Sequence, residues 1–286
     1  MHADEVDVDR AIVRALVDAQ FPQWCDLPIE RFPSIGTVNN IFRLGDDLYV
    51  RVPRVRNFAR DLSKELEWLA KLAPQLPVAI PEPLAIGSPD DTYPYTWAVF
   101  RWLAGEPITD NGDMITDDLA AFVDALRGID PGGAPASGRD HTLASRDTIT
   151  RGAIDAARRV IDAGAAAAAW DEALDAPPWD GVPVWTHGDL LPPNLLTRGG
   201  RLSAVLDFGC VGLGDPALDA IAAWSVLGPG ARVRYRELLR FDDAAWARGR
   251  GWALSSALLV IPYYPETNPE FVAVATRTVE AITRTI

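Results

Sequence analysis

Hydrophobic residues follow a helical spacing in two stretches near the start of the chain. In residues 8–20 apolar side chains recur every three or four positions, which predicts an amphipathic helix. Residues 60–73 repeat this pattern up to Pro74. Between them, residues 36–53 predict two strands joined by a tight turn at residues 45–47. The beginning of the chain is therefore expected to combine strands with helices.

Two further β-rich stretches complete this first region. Residues 84–86, preceded by Pro81 and Pro83, predict a short edge strand, and residues 96–103 predict another strand. The order strand, strand, helix, strand, strand indicates a small α+β lobe. We place this lobe at residues 1–103, with a hinge near 100–104.

The rest of the chain, residues 104–286, is predicted to be mainly helical. It contains a long alanine-rich helical region at 147–175 and a last helix that starts near residue 269, after capping residues. Short strands are predicted at 182–185 and 202–207. We therefore expect an α+β protein of two lobes, the first with an antiparallel sheet and the second larger and helical.

Composition and charge narrow the class of protein. The chain has 286 residues, 48% of them hydrophobic, and a net charge of −13. Such acidity disfavours nucleic acid or an anionic membrane as a partner, and favours cationic small molecules if it does more than maintain solubility. No apolar run is long enough for a membrane span, and Cys25 and Cys210 form no disulfide framework. We expect a cytoplasmic protein without a signal peptide.

Acidic and amide side chains follow the two short strands of the second region. His187-Gly188-Asp189 comes directly after the first strand, Asn194 lies five residues beyond Asp189, and Asp207-Phe208-Gly209 follows the second strand. Each tripeptide alone also occurs by chance or as a turn. Together they suit phosphoryl transfer, with Asp189 as the catalytic base and with Asn194 and Asp207 as ligands of Mg²⁺.

These motifs resemble those of the aminoglycoside phosphotransferase family, which includes macrolide phosphotransferases and related antibiotic and metabolite kinases. Residues 187–194 resemble the family's catalytic-loop pattern H-G-D-x-x-x-x-N, and residues 206–209 resemble the segment that carries its metal-binding aspartate. Its G-D-P-x-x-D pattern is similar to residues 214–219, and the resemblance extends over nearly the whole chain. It implies a two-lobed protein-kinase-like fold, ATP or GTP as co-substrate, Mg²⁺, and a hydroxyl of a small molecule as acceptor.

The resemblance also implies roles for the two regions and for further residues. Residues 1–103 would bind the nucleotide, and residues 104–286 would carry catalysis and the acceptor. His187 would hold the loops in place by hydrogen bonds, and Asp215 would help to anchor the site. A monomer or a homodimer is expected.

Two departures from the family pattern affect these implications. Leu191 and Pro193 stand where many relatives have His and Gly, which affects the placement of the substrate more than the reaction. No lysine lies on the strand where kinases usually hold a phosphate-pairing lysine. Arg51 takes that place, with Arg54 as the competing candidate, and Glu65 on the next helix would pair with Arg51.

The remaining nucleotide contacts are predicted from the family context. Thr37 and Asn39 lie in residues 36–40, at the start of the predicted strand pair, and in the family context this loop would cover the phosphates. Phe100 and Trp102 lie in the linker whose backbone would meet the purine. For Trp97 and Trp102 a core position is the alternative interpretation.

The acceptor is the open part of the prediction. Residues 104–183 contain 15 acidic residues against six arginines, which would suit a cationic amino-sugar unless these acids are solvated helix faces. An aminoglycoside-type antibiotic is the first expectation, with a role in antibiotic resistance. The alternatives are a macrolide kinase, a sugar or amino-alcohol kinase of the same fold, and a non-catalytic nucleotide-binding module.

Overall fold

The computed structural model describes residues 6–33, 39–109, 111–139, 142–264 and 268–284. Within these ranges, none of the helices combines the length and the hydropathy that a membrane span requires.

The chain divides into two compact units. The first consists of Met1–Ala104 together with Ala204–Gly209, and the second of Gly105–Ser203 together with Cys210–Ile286. The short return segment places Asp207 in the first unit, apart in sequence from the other residues of that unit. The functional roles assigned to the two regions stay predictions.

A five-stranded antiparallel sheet forms the centre of the first unit. Its strands are β1 (Ile29–Phe32), β2 (Asn39–Leu44), β3 (Leu48–Pro53), β4 (Pro83–Gly87) and β5 (Trp97–Arg101). They lie in the order β1-β2-β3-β5-β4, so β4 is an edge strand as predicted. The turn between β2 and β3 contains Gly45 at φ 61°, a left-handed conformation that glycine adopts without strain.

Two helices accompany this sheet. Helix α1 (Arg10–Gln20) starts after Asp9, whose carboxylate accepts a hydrogen bond from the backbone of Ile12, and its apolar face joins the hydrophobic core. Helix α2 (Arg56–Leu72) starts four residues earlier than predicted, because Val55 at its N-cap offers no side-chain acceptor to mark the start. Both predicted helices of this region are confirmed.

Helices make up most of the second unit. They are α3 (Thr116–Arg127), α4 (Asp147–Ala157), α5 (Ala163–Leu174), α6 (Ile221–Ser225), α7 (Pro229–Leu238), α8 (Asp243–Tyr263) and α9 (Pro269–Thr283). The predicted helical region at 147–175 is divided in two, because Asp162 caps a new helix by accepting from the backbone of Ala165. Asn268 caps α9 in the same way, and Pro269 occupies its first turn as predicted.

Short strands position the chemistry-bearing loops. Strand β6 (Glu106–Pro107) pairs with β8 (Leu195–Arg198), which lies beside β9 (Arg201–Val205). Strand β7 (Val184–Thr186) pairs antiparallel with β10 (Gly212–Gly214). The loop 187–194 therefore leaves β7, and the segment with Asp207 leaves β9, as predicted. The α+β class, with an antiparallel-sheet N-terminal region and a helical remainder, is confirmed.

Candidate active site

A buried ion pair connects strand β3 to helix α2 in the first unit. The side chains of Arg51 and Glu65 are 8% and 0% exposed, and Nη1 of Arg51 lies 2.7 Å from Oε2 and donates to Oε1 at 2.9 Å. Burial opposes the charge of Arg51, but the carboxylates of Glu65 and Asp207 outweigh it and raise the pKa of Arg51. The guanidinium therefore stays charged in this position.

Asn39 and Asp207 flank the same guanidinium. With its amide oriented so that the oxygen faces Arg51, Asn39 accepts hydrogen bonds from Nε at 3.0 Å and from Nη2 at 3.1 Å. The carboxylate of Asp207 lies 4.0 Å from the same Nη2. Four of the predicted site residues therefore form one cluster in the first unit, centred on the guanidinium of Arg51. The other three are Asn39, Glu65 and Asp207.

Asp207 has an unusual backbone conformation. Its φ is 59°, in the left-handed region that aspartate tolerates better than most side chains. Its carboxylate accepts from the backbone N–H of Gly209 at 3.3 Å and is 40% exposed. This conformation turns the chain sharply after β9 and leaves lone pairs of the carboxylate accessible for a cation.

In the second unit, Asp219 anchors the start of the loop 187–194. One oxygen of its fully buried carboxylate accepts from the backbone N–H groups of His187 and Gly188 at 3.0 and 2.9 Å. Gly188 has φ 75°, which turns the loop away from strand β7. The backbone N–H of Asp189 in turn donates to Nδ1 of His187 at 3.3 Å. His187 therefore holds the loop by hydrogen bonds.

Asp189 and Asn194 face each other across this loop. Nδ2 of Asn194 donates to the backbone oxygen of Asp189 at 2.9 Å and lies 3.3 Å from Oδ2 of its carboxylate. A 3₁₀ turn at Pro192–Asn194 brings the amide into this position. Pro193 fits the turn because the first positions of a helical turn need no N–H donor. The unusual loop residues thus still bring the acid and the amide together.

Arg139 makes the shortest contact to Asp189. Its Nη2 donates to Oδ1 of the carboxylate at 2.6 Å, and the two side chains are 17% and 20% exposed. The sequence did not indicate this residue, since it lies in an irregular loop 50 positions before its partner. No local motif marks such a contact.

Asp215 supports the segment that carries Asp219. It caps the 3₁₀ segment Pro216–Ala220 by accepting from the backbone of Ala217 at 2.9 Å. Arg248 on helix α8 donates to both of its oxygens, at 2.6 Å from Nε and 3.2 Å from Nη2. Asp215 therefore ties α8 to the segment that anchors the loop 187–194.

The other predicted nucleotide contacts have different surroundings. The side chain of Phe100 is fully buried and stacks on Tyr49 at 5.1 Å, so it is a core residue of the sheet. Trp102 is partly buried between Phe32, Tyr49 and the guanidinium of Arg43. A purine contact through their backbone stays a prediction, and Thr37 lies outside the described residues.

The oxygen atoms of Asn194 and Asp207 suit an Mg²⁺ that nucleotide phosphates and water also bind, rather than a metal bound by protein side chains alone. Among the residues that the structure describes, no group of three or more His, Cys, Asp or Glu side chains is arranged to hold a metal. Mg²⁺ in kinases needs only one or two protein oxygens beside phosphates and water. Nδ2 of Asn194 is hydrogen-bonded to Asp189, so the amide oxygen is the atom of this side chain suited to Mg²⁺. The carboxylate of Asp207, which is 40% exposed, is equally suitable.

A comparison with protein families assigns the class. The model of the phosphotransferase enzyme family matches residues 29–252, and the chain belongs to this family. The predictions of the family and of a phosphotransferase enzyme are confirmed. No curated protein matched the chain in sequence.

Solved structures of antibiotic phosphotransferases share its kinase-like fold. The GDP and kanamycin complex of APH(2")-IIia has a TM-score of 0.75 at 18% identity, covering 96% of this chain and 98% of that one. The streptomycin–ATP ternary complex of APH(2")-IIa has a TM-score of 0.63 at 17% identity, covering 96% and 99%. The macrolide 2'-phosphotransferase MphH from Brachybacterium faecium has a TM-score of 0.60 at 22% identity, covering 92% and 97%.

Proposed function

We propose that the protein transfers the γ-phosphoryl group of ATP or GTP to a hydroxyl group of a small molecule, with Mg²⁺. The observation that carries this proposal is the geometry of the loop 187–194, in which the carboxylate of Asp189 and the amide of Asn194 are held face to face. Membership of the phosphotransferase family and the nucleotide complexes of structurally similar enzymes support it.

Asp189 acts on the attacking hydroxyl. Its carboxylate accepts the hydroxyl proton as the oxygen forms its bond to the γ-phosphorus, while the bond from that phosphorus to the bridging oxygen of the nucleotide breaks. The products are the phosphorylated acceptor and a nucleoside diphosphate. In this scheme Asp189 mainly orients the hydroxyl, because phosphoryl transfer develops little charge on the attacking oxygen.

Arg51 acts on the nucleotide phosphates. A guanidinium is permanently charged and donates N–H groups to phosphate oxygens, so it can replace the lysine of other kinases. Glu65 and Asn39 hold the group in a fixed orientation through contacts of 2.7 to 3.1 Å. Arg54, three residues further along, is the competing candidate for the same role.

Asn194 and Asp207 each supply an oxygen suited to Mg²⁺. A bound Mg²⁺ offsets the negative charge of the phosphates during transfer. Asn194 depends on its hydrogen bonds to Asp189 for its orientation, and Asp207 on the left-handed turn after β9. Chelation of the metal is therefore expected to abolish turnover.

An aminoglycoside is the first candidate for the acceptor, and a macrolide is the second. The net charge of −13 favours a polycationic acceptor, and similar structures are complexes with kanamycin and streptomycin. The acidic residues of the second unit give this choice less support than their number suggests. Among the described acids of residues 104–183, six already form ion pairs with arginines: Asp117, Asp118, Asp147, Asp155, Asp171 and Glu172. The similarity to a macrolide 2'-phosphotransferase favours the second candidate.

An acceptor screen tests the proposal. Purified protein with Mg²⁺ and either ATP or GTP is incubated with kanamycin, gentamicin, streptomycin, a macrolide, and a set of sugars and amino alcohols. The expected result is a mass increase of one phosphoryl group on at least one compound, and its loss on chelation. Tight binding of nucleotide without transfer to any acceptor or to water would contradict the proposal and support a non-catalytic nucleotide-binding module. A host that expresses the protein should tolerate more of any antibiotic that is modified.

A further inference from the structure

Arg139 and Asp189 form an ion pair in the second unit. Nη2 of Arg139 lies 2.6 Å from Oδ1 of Asp189, the shortest contact that the carboxylate makes with a described residue. Both side chains are more than three-quarters buried, so the pair is shielded from bulk solvent and from screening by salt. Such a contact restricts the rotation of the carboxylate far more than an exposed ion pair would.

The guanidinium is held from its far side as well. Its Nη1 donates to Oγ of Ser256 on helix α8 at 3.1 Å. The backbone N–H of Arg139 donates to Oγ of Ser137 at 3.2 Å, and that hydroxyl donates to the backbone oxygen of Cys210 at 2.9 Å. Arg139 is therefore oriented by two neighbouring elements before it meets Asp189.

Further backbone contacts fix the loop that carries Arg139. The N–H of Ser137 donates to the backbone oxygen of Leu213 at 2.9 Å, and the N–H of Gly138 donates to that of Cys210 at 3.0 Å. Gly138 itself lies close to this segment, since a Cβ there would stand 3.2 Å from Cα of Cys210. The loop is thus fastened to the chain just beyond the Asp207-Phe208-Gly209 motif.

The charge of Arg139 is secure in this position. Burial opposes its charge, but the carboxylate of Asp189 and the sulfur of Cys210 outweigh burial and raise its pKa. A guanidinium of this kind remains charged over the whole range in which an enzyme operates.

The two oxygens of Asp189 have different partners. Oδ1 accepts from Arg139, whereas Oδ2 lies 3.3 Å from the amide of Asn194, a longer and weaker contact. Within the loop, Leu191 and Pro193 have no side-chain donor to offer. The orientation of the carboxylate thus depends mainly on a residue outside the loop.

We propose that Arg139 is a positioning residue for Asp189, which it holds by Oδ1 so that Oδ2 faces the hydroxyl of the acceptor. This inference rests on the proposed phosphotransferase function. Positioning of this kind acts on the chemical step, because a misplaced group can slow a reaction about 100-fold without changing how the substrates bind. Arg139 makes one contact to Asp189 rather than a fork, so a lysine can replace part of its role.

A double-mutant cycle tests the inference. Arg139→Met and Arg139→Lys are prepared alone and together with Asp189→Asn. Arg151→Met serves as the matched control, since Arg151 makes contacts of 2.8 and 2.6 Å to the exposed side chains of Asp147 and Asp171 in the same unit. Turnover is measured as release of nucleoside diphosphate with kanamycin, with a macrolide and with water as acceptors. Thermal unfolding and affinity for ATP with Mg²⁺ are recorded for every variant.

We expect Arg139→Met to lower kcat about 10- to 100-fold with an unchanged KM for ATP. Arg139→Lys should recover part of this loss, and Arg151→Met should match the wild type. In the Asp189→Asn background neither substitution at Arg139 should lower kcat further, because the group through which it acts has gone. If Arg139→Met does not fold, the cycle with Arg139→Lys gives the same comparison.

Two results would overturn the inference. Wild-type turnover of a folded Arg139→Met would show that Asp189 needs no such partner. A full additional loss in the Asp189→Asn background would show that Arg139 acts independently of Asp189. Failure of the proposed function is distinguishable, since it appears as normal turnover of Asp189→Asn alone or as no turnover of the wild type with any of the three acceptors.

Discussion

Asp219 fixes the backbone of the loop that carries Asp189 through a single carboxylate oxygen. Asp219→Asn keeps an oxygen that can accept both backbone N–H groups, so we expect a folded protein with most of its activity. Asp219→Ala leaves the N–H groups of His187 and Gly188 without their buried acceptor, at a cost of about 2 to 4 kcal/mol in the free energy of unfolding. Urea unfolding of the two variants measures this difference, and equal stabilities would contradict the anchoring role.

Asp219→Asn should also change how the free energy of unfolding depends on pH. Burial raises the pKa of Asp219 above its ordinary 3.8, although Arg127 opposes this. A carboxyl group whose pKa is raised in the folded state contributes stability at low pH, and that contribution is lost as the pH rises through the folded pKa. Asp219→Asn lacks this loss, so its stability relative to the wild type should improve as the pH rises above about 4.

Arg51 and Arg54 are the two candidates for the contact to the nucleotide phosphates. Arg51 is held in a fixed orientation by Glu65 and Asn39, and its charged guanidinium keeps an N–H on Nη2 for a phosphate oxygen. We expect Arg51→Lys to weaken binding of ATP with Mg²⁺ about tenfold, the loss of one charge-assisted hydrogen bond, and Arg54→Lys to leave it nearly unchanged. Titration calorimetry measures both affinities without an acceptor. A larger effect at Arg54 would transfer the role to that residue.

Individual site residues could be predicted from the sequence where they belong to a local motif. Asp189 and Asn194 are five positions apart, and a strand before the loop was enough to predict that they would meet. Arg139 could not be found in this way, because it reaches Asp189 only through the pairing of β7 with β10 and the contacts of its own loop to Cys210. A contact that depends on the packing of distant segments has no signature in a single sequence.

Helix α8 carries the close packing on which the loop anchor depends. A Cβ at Gly249 would stand 2.4 Å from Cβ of Ala220 and 3.0 Å from the backbone oxygen of Ala217. These residues belong to the 3₁₀ segment that contains Asp219, so any displacement there reaches the loop 187–194. Glycine at this position is therefore required for the approach of two elements.

Gly249→Ala and Gly152→Ala make a matched pair. Alanine is favoured over glycine in a helix by about 1 kcal/mol, but at Gly249 the steric clash outweighs this gain. We expect Gly249→Ala to destabilise the protein by about 1 to 3 kcal/mol and to lower activity. Gly152 lies on α4, where an added methyl group would face open space, so Gly152→Ala should be neutral or stabilising. Chemical denaturation measures the free energy of unfolding of both variants, and equal changes in the two would contradict the close approach at Gly249.

Element boundaries were predictable where a cap marks them. Asn268 and Pro269 identified the start of α9, and both serve there as expected. Helix α2 has no capping side chain, and its predicted start was four residues late. The break between α4 and α5 escaped the alanine-rich pattern, because a single capping aspartate outweighs the helical preference of its neighbours.

At the scale of the whole molecule, the net charge of −13 bears on the choice of acceptor. An acidic protein attracts a polycationic aminoglycoside over a distance that shrinks from about 30 Å at 0.01 M salt to about 8 Å at 0.15 M. For an aminoglycoside acceptor, kcat/KM should fall several-fold over this range, whereas for a macrolide it should change little. Initial rates at several salt concentrations measure this, and equal dependence for both classes would remove charge as an argument for aminoglycosides.

The fold class followed from the order of strands and helices, and the family from three short motifs. The acceptor did not follow, because charge counts do not reveal which acids are already paired with arginines. The structure shows such pairs on α3, α4 and α5, where the sequence had suggested an acidic pocket. Substrate class therefore depends on tertiary contacts that neither composition nor motif spacing determines.

The most direct test of the central claim is the turnover of Asp189→Asn. Asparagine keeps the size of the side chain but cannot accept the hydroxyl proton, so we expect kcat to fall about 10²- to 10⁴-fold. Affinity for ATP with Mg²⁺, measured by calorimetry on the same preparation, should stay within about twofold of the wild type, since Asp189 acts on the acceptor rather than on the nucleotide. Wild-type turnover in this variant would contradict the assignment of Asp189 as the group that receives the proton.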